Sequence, residues 1–209
     1  MKKMYIGLLS CMIMVSSIMA QNDPAAKKVL DAVSNKAKSF KGVTASFTIK
    51  SITSKGKDNG TKTGNISFKG QKYLLKQGKT QILCDGAKIY NYDGNKTVTV
   101  SPVEDGGQTL SPQNLLSNFY DKDFTYKLLS SAGNFYQVEL TPIDKRKNFQ
   151  KVTVFIDKAK NMITKALILD KSNNTVEFVL TNPNTNATLA DNLFTFDKGK
   201  YPADVEILD

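Results

Sequence analysis

Turn-forming clusters recur along most of the chain at intervals of roughly ten residues, and this rhythm constrains the fold more than any other feature. Apolar and polar residues alternate between the clusters, as at Val43, Ala45 and Phe47, which places the apolar residues on one face of a strand. The sequence therefore predicts an antiparallel β-meander. The turn clusters lie at 54–60, 69–70, 77–78, 85–86, 93–94, 130–134, 144–148, 157–161 and 170–174.

The stretch LCDGAKIYNYDGNKTVTV contains two Asp-Gly pairs, which are candidates either for cation ligands or for turns. A calcium loop needs oxygen ligands at alternate positions and a later glutamate, and neither pair has this spacing. Asp-Gly accepts the positive φ of tight hairpin turns, and Ile89, Tyr90 and Tyr92 between the pairs suit a strand. The two pairs are therefore predicted to be hairpin turns.

Two segments have the pattern of helices. Asp23 and Pro24 form an N-cap and first-turn proline signal, and apolar residues follow at helical spacing. Ser111 and Pro112 repeat the signal before a second, shorter apolar run. The first apolar set is Ala26, Val29, Val33, Ala37 and Phe40, and the second is Leu115, Leu116 and Phe119.

A long antiparallel sheet curls, and the apolar faces of two separated helices must lie against its concave side. The predicted fold class is mainly β (α+β), with a strongly curved sheet closed by a lid of short α-helices. Strand segments such as 152–156 and 176–180 carry enough apolar residues for a lined interior. An ordinary packed core is the alternative interpretation of the same periodicity.

The N-terminus has the architecture of a secretory signal peptide. Lys2 and Lys3 precede an apolar run at 4–19, and Ala20 ends a small-residue cleavage site. We predict cleavage after Ala20, which leaves an exported single domain at 21–209. The alternative is a lipoprotein signal in which Cys11 is lipidated, because residues 8–11 loosely resemble a lipobox.

Composition excludes several classes of function. The chain has no histidine, which removes the commonest general base and metal ligand. Cys84 is the one cysteine left after cleavage, so no intrachain disulfide forms, and no metal or cofactor site is predicted. An enzyme would need paired carboxylates or a Ser-Lys pair, and none stands out. The net charge of +10 suits anionic lipid or partner surfaces, with simple solubility as the alternative.

Several short motifs fall in one order along the chain. They are LCDGAKIYNYD, LSPQNLL, VELTPIDKRKNFQKVTVFID and LILDKSNNTVEFVLTNPNTNATLADNLFTF. Together they resemble the LolA family of periplasmic carriers of outer-membrane lipoproteins over residues 24–209. The resemblance implies an incomplete antiparallel β-barrel whose hydrophobic cavity is closed by helices.

The resemblance also implies a function and partners. The cargo would be acylated lipoproteins, carried through the periplasm from an inner-membrane lipoprotein-releasing transporter to an outer-membrane acceptor by a monomer that binds no nucleic acid. Two alternatives stay open: a membrane-anchored acceptor or envelope-stress sensor of the same fold, and a carrier of phospholipid or another amphiphile.

Site residues follow from the strand phase and from the motif SFKGQKYLL. In that motif Lys69 and Gly70 stand where the family has an arginine and a proline, so Lys69 is the candidate latch that would tie the lid helices to the sheet. The predicted lipid-cavity residues are Phe47, Ile49, Tyr73, Leu75, Ile89, Val154, Ile156 and Phe178. The predicted lid residues are Val29, Val33, Leu115, Leu116 and Phe119.

Overall fold

The computed structural model describes residues 22–103 and 120–209, and these form one large, curved, open sheet of 12 strands with few short helices. The strands are β1 Val43–Ile52, β2 Asp58–Lys69, β3 Lys72–Gln77, β4 Thr80–Cys84, β5 Lys88–Tyr92, β6 Thr97–Pro102, β7 Phe124–Ser130, β8 Phe135–Pro142, β9 Phe149–Asp157, β10 Met162–Asp170, β11 Thr175–Asn184 and β12 Glu206–Leu208. The helices are α1 Pro24–Lys38 and α2 Tyr120–Asp123, with 3₁₀ turns at Asp191–Phe194 and Lys198–Lys200. The predicted fold class is confirmed.

The sheet order is β12-β6-β5-β4-β3-β2-β1-β11-β10-β9-β8-β7. Neighbouring strands are antiparallel except that β12 runs parallel to β6. β1 pairs with both β2 and β11, so it joins the two consecutive meanders into one sheet. The predicted signal peptide and the second predicted helix lie outside the residues that the structure describes.

Both Asp-Gly pairs are turns, as predicted. The Asp85 carboxylate accepts hydrogen bonds from the backbone N–H groups of Ala87 and Lys88, both at 2.8 Å. Asp93 does the same for the next turn, where its carboxylate accepts from Asn95 N at 2.8 Å. Gly86 has φ +100°, a value that residues with a side chain rarely adopt. The acids organise the backbone of the hairpins.

Helix α1 begins as its sequence signal indicates. The Asp23 side chain caps the helix by accepting from Ala25 N at 2.8 Å, and its second oxygen accepts from Leu128 N of β7 at 2.9 Å. Asn22 also accepts from Tyr126 N at 3.2 Å. The cap therefore also ties the helix start to β7, the outer strand at one end of the sheet.

One face of the sheet is apolar from β5, through β1, to β7. Cross-strand partners share a face, and the pairing Tyr73–Cys84–Ile89 continues the apolar row from β3 to β5. On the other side of β1, Phe47 faces Leu180 of β11. Helix α1 packs on this face over β7 to β10, where its residues Ala26, Leu30 and Val33 join the largest buried cluster.

The C-terminal segment covers the reverse face of β3 to β6. Leu74 and Leu83, which point away from the apolar row of Tyr73, pack against Phe194. Tyr90 stacks on Phe196 with ring centroids 4.5 Å apart. The sheet is therefore apolar on both faces in this region, which the sequence pattern did not predict. Within the described ranges, no helix is long and apolar enough to cross a membrane.

Candidate functional site

All eight residues predicted to line a cavity lie on the apolar face that carries α1. The assignment follows from their membership of two adjoining clusters on that face. Val154 and Ile156 belong to the cluster under α1. Phe47, Ile49, Tyr73, Leu75, Ile89 and Phe178 belong to the cluster on β1 to β5 and β11.

The two clusters differ in solvent exposure. Val154 and Ile156 have no exposed surface, because α1 packs on their strands and buries them as an ordinary core. In the second cluster, several apolar side chains stay partly exposed. We call this set the open half of the sheet; it consists of Ile49, Leu75, Ile82, Ile89, Phe178 and Leu180. Exposed apolar surface that is contiguous marks a binding site more often than isolated residues do.

Phe47 forms the floor of the open half. Its ring is 1% exposed and stacks on Phe178 with centroids 5.6 Å apart and an interplanar angle of 24°. Opposite Phe47 in the register stands Gly64, where an added Cβ would lie 2.4 Å from Phe47 Cζ and 2.3 Å from Lys76 O. The missing side chain lets the ring lie against the backbone of β2. Sequence reasoning missed the role of Gly64, although a glycine inside a strand indicates a close approach of this kind.

Two polar groups on this face, Tyr73 and Cys84, remain protonated at physiological pH. Burial, and then the nearby Cys84 thiol, raises the pKa of Tyr73 to about 12. Burial also raises the pKa of Cys84, whose Sγ donates to Gln71 O at 3.5 Å. Neither group is an activated nucleophile. Within the described ranges, no three His, Cys, Asp or Glu residues are grouped as metal ligands.

The predicted latch residue, Lys69, lies on the other face of the sheet, away from α1. Because Phe68 points into the apolar face, strand alternation turns Lys69 to the reverse side. Its Nζ donates to Leu189 O and to Asp191 Oδ1, each at 3.2 Å. Lys69 therefore holds the C-terminal segment on the sheet, and α1 is not among its partners in the described ranges.

The two α1 residues predicted to belong to the lid contact the sheet. Val33 is buried, and Val29 packs partly buried against the same cluster. The other predicted lid residues, Leu115, Leu116 and Phe119, lie outside the described residues.

A polar cluster that the sequence reasoning missed connects α1 to β7 and to α2. Tyr120 donates to Asp31 Oδ1 at 2.7 Å, and Tyr126 donates to Asp121 Oδ1 at 2.9 Å. Lys27 Nζ bridges the two carboxylates at 3.1 Å each. The hydrogen bond from Tyr120, followed by Lys27, lowers the pKa of Asp31. Only the i, i+4 spacing of Lys27 and Asp31 gave a sequence signal for this cluster.

A family profile described as "Outer membrane lipoprotein carrier protein LolA" matches residues 38–197. The chain belongs to the LolA family. No curated protein matches the LolA-family chain by sequence.

Several solved structures are similar to this LolA-family chain. An uncharacterized conserved protein from Thermus thermophilus has a TM-score of 0.57 at 11% identity, with 88% of this chain and 98% of that chain covered. The LolA superfamily protein NE2245 from Nitrosomonas europaea has a TM-score of 0.46 at 14% identity, with 82% and 97% covered. A Pseudomonas aeruginosa MucA/MucB complex structure has a TM-score of 0.41 at 14% identity, with 83% and 61% covered. At 11% identity, the likeness to the Thermus thermophilus protein concerns the fold alone.

Proposed function

We propose that this protein is a periplasmic carrier that shields the acyl chains of lipoproteins and ferries them from the inner to the outer membrane. Membership of the LolA family supports a carrier rather than an enzyme. The single observation that carries the proposal is the open half of the sheet, an apolar surface that α1 leaves partly exposed.

The energetics of acyl chains require such a surface. Each methylene transferred from water to an apolar environment contributes about 0.8 kcal/mol, so two or three acyl chains in water would cost tens of kcal/mol. Ile49, Leu75 and Phe178 offer apolar surface that is already partly exposed, so binding there displaces water without first breaking a packed core. The open half is therefore the proposed site of the chains.

The residues under α1 would extend this site. Val154 and Ile156 share the apolar face but are covered by the helix, so acyl chains reach them only if α1 moves away. In this proposal α1, with Val29 and Val33, acts as the lid. A lid that repacks on the empty sheet competes with the cargo, which favours its release to the receiving membrane protein.

Two adjacent residues of β11 provide a matched test. Phe178 lies on the open half, whereas Val179 is also partly exposed but points to the reverse face. Phe178→Glu should abolish capture of a diacylated lipoprotein, because a charge in an apolar site costs several kcal/mol unless it is hydrated. Val179→Glu should retain capture.

The measurement is transfer of purified diacylated lipoprotein from detergent to the carrier, followed by size-exclusion chromatography and mass spectrometry. Thermal unfolding of both variants controls for loss of fold. Equal capture by Phe178→Glu and the wild type would exclude the open half as the site. Co-purified phospholipid in place of lipoprotein, identified by mass spectrometry, would favour a carrier of another amphiphile.

A further inference from the structure

Three turns lie side by side at one end of the strands and are connected by hydrogen bonds. The β1–β2 turn contacts the β10–β11 turn, where Ser54 N donates to Asn174 Oδ1 at 3.1 Å. The β10–β11 turn contacts the β8–β9 loop, where Lys171 Nζ donates to Lys145 O at 2.8 Å. These contacts make the three turns one continuous surface. We call it the basic rim, defined by Lys55, Lys57, Lys145, Arg146 and Lys171.

The acidic residues near the basic rim already have partners, so the rim keeps an excess of positive charge. Asp58 pairs with Lys50 at 3.0 Å, and Asp144 pairs with Arg146 at 2.9 Å. The remaining rim lysines are exposed and form no ion pair within the described ranges; they are Lys55, Lys57, Lys145 and Lys171. Their charges are free to interact with an external anionic surface.

An apolar side chain stands within the basic rim. Ile143, in the β8–β9 loop, is 54% exposed, the highest value among the exposed large apolar residues of the described ranges. Its backbone N donates to Asp123 O at 2.9 Å, which fixes the start of the loop. An apolar side chain among lysines matches the interface of a bilayer, where cations meet phosphates and apolar groups enter the headgroup boundary.

The charge of the molecule is distributed unevenly, which would orient it at such a surface. The C-terminal segment is acidic and lies on the reverse face of β3 to β6. Its acids are Asp191, Asp197, Asp204, Glu206 and Asp209, against Lys198 and Lys200. Asp191 and Asp204 pair with Lys69 and Lys96 of the sheet, whereas the rim lysines are unpaired within the described ranges, so the approach of an anionic bilayer to the rim is favoured.

We propose that the basic rim docks on the surface of a bilayer that contains anionic phospholipid. The rim lies at the end of β1 and the start of β11, and the open-half residues Ile49 and Phe178 each lie three positions from those strand ends. Docking therefore brings the rim end of the open half to the headgroup region. This interaction goes beyond the carrier function and does not depend on the identity of the cargo.

Charge reversal with a matched control tests the proposal. Lys55→Glu, Lys57→Glu and Lys145→Glu are combined in the rim variant, while Lys171 is kept because it joins two loops. The control combines Lys41→Glu, Lys88→Glu and Lys160→Glu. These three exposed lysines lie at the opposite end of the strands from the rim. Both variants change the net charge by the same amount.

The measurement is co-sedimentation with phosphatidylcholine vesicles that contain about 30% phosphatidylglycerol, with pure phosphatidylcholine for comparison. The wild type should bind the anionic vesicles and dissociate at about 0.5 M salt, where charges are screened. Because each cation near such a membrane contributes about five-fold in affinity, losing three of them should cost the rim variant about 100-fold or more, and repulsion of the three glutamates adds to this loss. The control should lose less than about three-fold, since its lysines face away from the vesicle.

Two results would overturn the proposal. The first is a wild type that does not bind anionic vesicles, and the second is an equal loss in both variants, which would indicate an effect of net charge alone. Ile143→Asn isolates the apolar contact and should weaken binding about five-fold without changing the salt dependence. An unchanged affinity for Ile143→Asn would refute insertion of that side chain. Cargo capture in detergent separates failure of this proposal from failure of the carrier function.

Discussion

The polar cluster at Lys27, Asp31, Tyr120, Asp121 and Tyr126 predicts how α1 can be released from the sheet. Tyr120→Phe removes the hydroxyl that donates to Asp31 at 2.7 Å and keeps the ring, which is 2% exposed. The edge-to-face contact with the ring of Tyr126, with centroids 5.7 Å apart, should therefore survive. The substitution removes the hydrogen bond to Asp31 and leaves the packing of the ring in place.

The magnitude follows from the charge and exposure of the acceptor. A hydrogen bond to a charged group contributes roughly 1.5–3 kcal/mol. The Asp31 side chain is 43% exposed, so water replaces part of the lost bond and the cost falls to the lower end of that range or slightly below it, about 1–1.5 kcal/mol. This corresponds to roughly a ten-fold increase in the population of molecules in which α1 is detached.

The assay is hydrogen exchange of the backbone amides. In Tyr120→Phe, the α1 amides from Leu30 onward should exchange about ten-fold faster, while those of β1 and β11 keep their wild-type rates. Lys27→Met is the comparison: its ion pairs are about half exposed, so it should accelerate exchange less than three-fold. Unchanged exchange in α1, or equal acceleration throughout the sheet, would refute the conclusion that this cluster keeps α1 packed on the sheet.

Three further predictions concern other contacts. Gly64→Ala should destabilise the fold by about 1–3 kcal/mol in urea unfolding, because its Cβ would displace the ring of Phe47; a wild-type midpoint would contradict the close approach. Lys69→Met should accelerate tryptic cleavage of the C-terminal segment by loosening Asp191, and leave binding of a hydrophobic dye unchanged; altered dye binding would restore its role as a latch. The folded-state pKa of Asp31 is lowered, so its contribution to stability is present above its unfolded pKa and lost as pH falls through the folded value; Asp31→Asn should therefore flatten the acid-side stability profile measured by thermal unfolding.

Much of the fold follows from local chemistry, which is why it was predictable. The Asp-Gly turns and the cap at Asp23 depend on hydrogen bonds that span only a few residues. Alternation places Tyr73 and Leu75 on one face once the strand is recognised. These features require no knowledge of what packs against them.

The features that were missed depend on contacts between distant parts of the chain. Lys69 contacts Asp191, which lies 122 positions later in the chain. The alternation of side chains along β2, and not the position of Lys69 in the family motif, decides on which face of the sheet this lysine lies. Tyr120 meets Asp31 across 89 positions. The resemblance to the family placed Lys69 in a motif but gave no information on its hydrogen-bond partners. Those acceptors, Leu189 O and Asp191 Oδ1, belong to the C-terminal segment, which packs on the reverse face.

The open half of the sheet follows from the dimensions of its elements. Helix α1 has 15 residues and is about 22 Å long at roughly 1.5 Å per residue. A sheet of 12 strands spaced about 4.8 Å apart extends roughly 53 Å along its hydrogen-bonding direction. The apolar face extends over ten of these strands, from β5 to β7, or roughly 43 Å. Helix α1 therefore covers only part of the apolar face, and it lies over β7 to β10 because the Asp23 cap and the polar cluster hold it there. Apolar residues on β1 to β5 and β11 then retain exposed surface, and an acyl chain is a ligand whose length and chemistry suit such a surface.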